Sequence, residues 1–98
     1  GYSPDSLRLN GSILDLVSKS HKEGKFLAAI CHGPWVLISA GVMSGKQATG
    51  YAAIRDDLIN AGAEYRDAPA VRDGNIITGR VPDDLSDFCR EIINALQE

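Results

Sequence analysis

The sequence predicts an α/β sandwich, with helices on both faces of a mainly parallel sheet. Three observations carry that prediction. Short apolar runs alternate with amphipathic stretches along the chain. One run, Phe26-Leu27-Ala28-Ala29-Ile30, leads through Cys31-His32-Gly33-Pro34 directly into a second apolar stretch. A hairpin signal then precedes a final, strongly periodic segment.

Residues 1–10 read as a loop running into a short helical approach. Over residues 12–23, Ile13, Leu16 and Val17 share one helical face, His21 continues the stripe, and Gly24 is placed to end the helix. Residues 26–31 form a strand. Residues 34–40 are apolar nearly all round (Trp35, Val36, Leu37, Ile38, Ala40), which predicts a helix covered on most sides and stopped by Gly41. Residues 47–51 carry a weak strand signal. Ile54, Leu58 and Ala61 recur at helical spacing within 52–61, and Gly62 follows. Residues 64–66 and 70–72 are short extended segments separated by Pro69. Asp73-Gly74 matches a two-residue type I′ turn, with 75–78 as the return strand. Pro82-Asp83-Asp84 opens the last helix, where Leu85, Phe88, Cys89, Ile92, Ile93 and Leu96 trace one face.

At 98 residues the chain has the length of one domain and not two. A composition of 44% apolar and 23% charged residues is that of a soluble globular protein. The net charge of −3 gives no reason to expect nucleic acid or an anionic membrane as partner. No apolar run approaches the ~20 residues that span a bilayer, and no secretion leader is evident. Two cysteines are too few for a disulfide scaffold, so reduced thiols and a cytoplasmic location are expected.

Cys31 is the candidate nucleophile. At a strand-to-helix turn its thiol lies near a helix N-terminus, where free N–H groups and the helix dipole favour the thiolate. Gly33 permits close backbone approach, and the N–H groups at the helix start are available to an oxyanion. The alternative is a small, inert residue buried at a strand end. Cys89, on the apolar stripe of the last helix, reads as that kind of buried residue. His32 follows Cys31 directly, and on a tight turn an imidazole there can lower a thiol's pKa. His21 reads as a half-buried helix residue. Asp56 and Asp57, beside Arg55, read as surface charges or local ion pairs. No His/Cys cluster has metal-ligand spacing, and no Gly-rich phosphate loop is present.

Ala29-Ile30-Cys31-His32-Gly33-Pro34 and Leu37-Ile38-Ser39-Ala40-Gly41-Val42 resemble the nucleophile region of the PfpI-type branch of the ThiJ/PfpI superfamily. The resemblance continues through Ile54-Arg55-Asp56-Asp57-Leu58-Ile59-Asn60-Ala61-Gly62-Ala63-Glu64, Asp73-Gly74-Asn75 and Arg80-Val81-Pro82-Asp83-Asp84-Leu85. Upstream it reaches Pro4 and Arg8-Leu9-Asn10. It implies a three-layer α/β/α flavodoxin-like sandwich, here the C-terminal part of a longer domain with its N-terminal strands missing. It also implies an intracellular Cys-dependent enzyme, a peptidase or a deglycase or glyoxalase acting on methylglyoxal-derived adducts. The reactive thiol then falls on Cys31 and the neighbouring imidazole on His32. A carboxylate from an adjacent subunit falls on Asp5, where the family usually has the longer Glu. The oxyanion donors fall on the backbone N–H groups of Gly1 and His32.

In this scheme Cys31 thiolate attacks an electrophilic carbonyl, His32 moves protons and Asp5 orients His32, with no metal or organic cofactor required. The expected partners are further copies of the chain, with the site near a subunit interface, or a missing N-terminal segment. The rival expectation is a catalytically inactive remnant with a structural, oligomerising role in stress. It rests on the unpaired strand edges and uncovered apolar helix that so short a sheet would leave.

Overall fold

The computed structural model describes residues 2–98. In chain order the elements are α1 (Ser3–Leu7), α2 (Gly11–Lys22), β1 (Leu27–Ile30), α3 (Pro34–Ser39) and β2 (Gln47–Ala48). A 3₁₀ turn (Ala52–Ile54) leads into α4 (Arg55–Asn60), followed by β3 (Glu64–Tyr65), β4 (Ala70–Asp73) and β5 (Ile76–Gly79). A second 3₁₀ turn (Pro82–Asp84) opens α5 (Leu85–Leu96).

Strand β5 is buried along its whole length because it is paired on both edges, parallel to β1 and antiparallel to β4. Its side chains alternate across the sheet, and each face has its own core. On one side Ile76 packs with Leu37, Met43, Ile54 and Leu58; on the other, Ile77 packs with Phe88 and Ala95 of α5. Helices thus cover both faces, giving the three-layer α/β/α sandwich that the sequence predicts. The β2–β3 pair is parallel and forms a separate ladder.

That small ladder is tied to the main sheet by side chains. Gln47 donates its backbone N–H to Asp73 Oδ2 at 2.8 Å, and Thr49 donates its own to Thr78 Oγ1 at 2.9 Å. These side-chain acceptors serve the N–H groups on the edge of this segment that faces away from β3. Arg80 similarly bridges the Asp67 carboxylate (3.0 Å) and that of Asp84 (2.9 Å), joining the approach to β4 with the start of α5. Hydrogen bonds from Asp84 first, then Asp67, raise its guanidinium above its ordinary pKa.

Three expectations need correction. The 52–61 helix is split, its first turn being 3₁₀. The hairpin turn is Gly74-Asn75, one residue beyond the expected Asp73-Gly74, because Asp73 pairs with Ile76 as the last residue of β4. Gly74 alone has positive φ (62°), whereas a type I′ turn needs it at both central positions. Finally, Cys89 is exposed. Only Phe88, Ile92 and Ala95 of α5 face the sheet; Leu85, Ile93 and Leu96 remain 51–66% exposed on an adjoining flank. The opposite flank, with Asp87, Arg90 and Glu91, lies beside Pro69 and Ala70 at β4. The apolar flank is therefore on the β1 side, and among the described residues β1's outer edge pairs with no strand. Along that edge lies an apolar cavity of about 330 Å³, lined by Leu7, Val17, Leu27, Ala29, Val36 and Leu37 among others. No helix among the described residues is long and apolar enough to cross a membrane.

Thr78→Val should destabilise the fold by about 1–3 kcal/mol, because the buried Thr49 N–H loses its acceptor. Phe88→Ala should cost about 3–5 kcal/mol through the cavity left under α5. Urea unfolding of each variant measures both.

Candidate functional site

The site begins with a backbone constraint. Cys31 has φ 62°, the one non-glycine residue with positive φ among the described residues. Such a conformation costs about 1–3 kcal/mol and persists only where its surroundings impose it. Here the Cys31 N–H donates to Gly79 O of β5 at 3.0 Å, while its carbonyl accepts from Tyr51 N–H at 2.8 Å. The chain must then reverse at once, because Gly33 N–H returns to Ile30 O at 2.8 Å. A Cβ on Gly33 would stand 2.9 Å from Ile30 O and 3.0 Å from Ala29 Cβ, so only glycine fits. The outcome is a sharp elbow that lifts the thiol, partly exposed, off the end of β1.

On this elbow His32 Nδ1 and Cys31 Sγ lie 3.4 Å apart. The pair that the sequence predicts is therefore in contact although its members are adjacent, because the left-handed turn brings both side chains to one side. The His32 ring sits between Tyr51 (centroids 5.1 Å, 32° between planes) and Trp35 (5.0 Å, 64°), with Tyr2 further off at 6.3 Å.

The oxyanion donors differ from the expectation of a row of free N–H groups at the helix start. Gly33, Trp35 and Val36 N–H groups are all committed to carbonyls of the turn itself, on Ile30, His32 and Gly33. The His32 N–H has no backbone acceptor among the described residues. The Gly1 position lies outside the described residues. Helix α3 has only six residues, so the fixed turn, more than a long dipole, shapes the site.

Asp5 lies exposed on α1, and no carboxylate of this chain is hydrogen-bonded to His32 among the described residues. Asp57, read from sequence as a surface charge or local ion pair, instead accepts a 2.9 Å hydrogen bond from Trp35 Nε1. Arg8 places its guanidinium 5.1 Å over the Trp35 ring and donates from Nε to Ser39 Oγ at 3.0 Å. Sequence reasoning missed this surrounding set. Its one local signal is Trp35 standing one helical turn after His32. No group of three or more His, Cys, Asp or Glu side chains is placed to hold a metal among the described residues.

Comparison with known proteins gives this geometry a context. Residues 1–95 match the model of the DJ-1/PfpI family. The chain is 46% identical over 97 residues to the deglycase PfpI of Pyrococcus furiosus, and 48% identical to YraA of Bacillus subtilis, provisionally named a cysteine protease. Each alignment covers 99% of this chain but only 57–58% of the relative, so the chain spans little more than half the length of these curated relatives. Among solved structures, the two-domain protein of Anabaena variabilis, with DJ-1/ThiJ/PfpI-like and ferritin-like domains, superposes with a TM-score of 0.96. It is 46% identical, and the match covers 99% of this chain and 28% of that one. DJ-1beta of Drosophila melanogaster gives a TM-score of 0.85 at 34% identity, covering 91% and 48%. A nucleophile-type elbow, a flavodoxin-like sandwich and relatives sharing nearly half of all positions agree: the chain belongs to the DJ-1/PfpI family.

Proposed function

We propose that this chain carries the thiol centre of a Cys-dependent hydrolase that removes aldehyde-derived adducts, with peptide hydrolysis as the related alternative. The observation that carries the reading is the 3.4 Å contact between Cys31 Sγ and His32 Nδ1 on a backbone held at φ 62°. In the adduct the amine sits on a carbinol carbon beside a ketone, and a proton shift through His32 first turns that pair into a 2-hydroxyacyl amide. Cys31 as thiolate attacks its carbonyl carbon, so that the amine departs and a 2-hydroxyacyl thioester is left for water to release. The carbon–oxygen π electrons move onto oxygen, and the His32 N–H meets that developing charge. His32 then delivers a proton to the departing group as the tetrahedral species collapses, and later activates the water that releases Cys31. The name deglycase on the Pyrococcus furiosus relative favours the adduct chemistry.

Two further parts complete the proposal. Asp5, exposed and without a contact to its own His32, orients His32 of a neighbouring copy. Further chain, corresponding to the remaining length of the relatives, covers the free edge of β1 and the apolar flank of α5. A cytoplasmic setting suits a reduced, reactive thiol.

Cys31→Ala should lower release of methylglyoxal-derived adducts by on the order of 10³-fold or more while leaving the melting transition in place. Unchanged turnover in that variant would sink the nucleophile assignment, and Cys31-dependent peptide hydrolysis without adduct release in the parent protein would favour the alternative substrate class. Light scattering on the 98-residue chain should show association. A well-folded, monodisperse monomer would contradict the need for cover at β1 and α5.

A further inference from the structure

We infer that Trp35 and Asp57 are positioning residues for His32: Asp57 fixes the Trp35 indole, and the indole fixes the imidazole plane against Cys31. This inference rests on the proposed thiol chemistry and deepens it.

The starting point is what holds His32. Its one polar ring contact among the described residues is Cys31 Sγ itself. A ring held by a single contact to the group it must serve is free to swing about its side-chain bonds, unless packing stops it. Two aromatic walls supply that packing. Tyr51 lies tilted over one side of the imidazole at 5.1 Å, and Trp35 meets it edgewise at 5.0 Å. Aromatic rings in tilted and edge-to-face arrangements attract one another beyond their area burial. That is enough to bias the orientation of a half-exposed ring.

The two walls are anchored differently. Tyr51 is fixed through its backbone, since its N–H donates to Cys31 O. Trp35 is fixed through its side chain at two points: Nε1 donates to Asp57 Oδ2 at 2.9 Å, and Arg8 lies 5.1 Å over the ring. Arg8 is itself held by Ser39, so the guanidinium is not a loosely tethered surface cation. Asp57 comes from α4, outside the elbow altogether. The elbow thus borrows its second wall from a neighbouring helix, through one side-chain hydrogen bond. The groups that titrate or carry charge around His32 are the Cys31 thiol and the Tyr2 and Tyr51 hydroxyls, with Arg8 and Asp57 acting beyond the indole.

Trp35 is the single tryptophan of the chain, so intrinsic fluorescence reads this contact without interference. The test uses the Cys89→Ser background, so that iodoacetamide reports Cys31 alone, and follows both signals against pH. In the parent protein Trp35 emission should step as His32 gains its proton, and His32→Gln should abolish the step. Asp57→Ala should slow Cys31 alkylation near pH 6 by about tenfold and blunt the fluorescence step, as expected for a displaced imidazole. Asp57→Asn, whose amide oxygen still accepts the indole N–H, should recover the parent rate to within about twofold. Trp35→Phe, keeping an aromatic wall without the anchor, should fall between them on the alkylation rate. In the His32→Gln background Asp57→Ala should have no further effect. Equal alkylation rates in the parent, Asp57→Ala and Asp57→Asn would overturn the inference, as would an Asp57→Ala effect that survives removal of His32. Were Cys31 to react no faster than a free thiol in the parent, the chemistry proposed above would fail. The fluorescence step would still report whether Trp35 and Asp57 position His32.

Discussion

The clamp on the Cys31 backbone is the constraint on which the rest of this molecule depends. Two hydrogen bonds set it, one from Cys31 N–H to Gly79 of β5 and one from Tyr51 N–H to the Cys31 carbonyl. Both trace back to β5. Its residue Ile77 is gripped by Phe88 and Ala95 of α5, and its Thr78 hydroxyl accepts from Thr49 N–H two residues before Tyr51. The core on each face of the sheet therefore stabilises one side of the elbow. The left-handed conformation at Cys31 is maintained by packing that involves no catalytic group. Burial supplies the stability, and part of it is spent on holding one thiol in an unfavourable backbone conformation.

Much of this was legible in the sequence, and what was missed has physical causes. The strand–elbow–helix at 26–39 shows in the apolar runs on both sides of Cys31-His32-Gly33-Pro34, because each must be buried and only a tight reversal connects them. The helix ends at Gly24, Gly41 and Gly62 likewise show, and all three glycines have positive φ. The way residues 47–49 are tied to the main sheet did not show, because their N–H groups are satisfied by Asp73 and Thr78 side chains, and no periodicity encodes that. The hairpin register was set by Asp73 pairing with Ile76, which removed it from the turn. Cys89 was misplaced because the α5 stripe is wider than the surface that covers it. A wide stripe looks the same in sequence whether its cover belongs to this fold or to something beyond it.

The site shows the same division. Cys31 and His32 stand out as a pair, since the turn that brings them together is local. The elements around them do not, because Arg8, Trp35, Tyr51 and Asp57 come from four separate segments and meet only in the folded chain. Asp57 illustrates the point best. An aspartate in the first turn of a short helix reads as an ordinary favourable end charge, and only the indole 22 positions earlier gives it a second role. The open edge of β1 begins next to the same elbow.

The central claim is that this elbow makes Cys31 a nucleophile. Competitive labelling tests it most directly, because the chain carries its own control: Cys89 is more exposed than Cys31 but sits on a regular helix with no imidazole beside it. Limiting iodoacetamide below neutral pH, followed by mass spectrometry of the two cysteine peptides, should place the label overwhelmingly on Cys31. Preferential labelling of Cys89, as accessibility alone would dictate, would contradict the account.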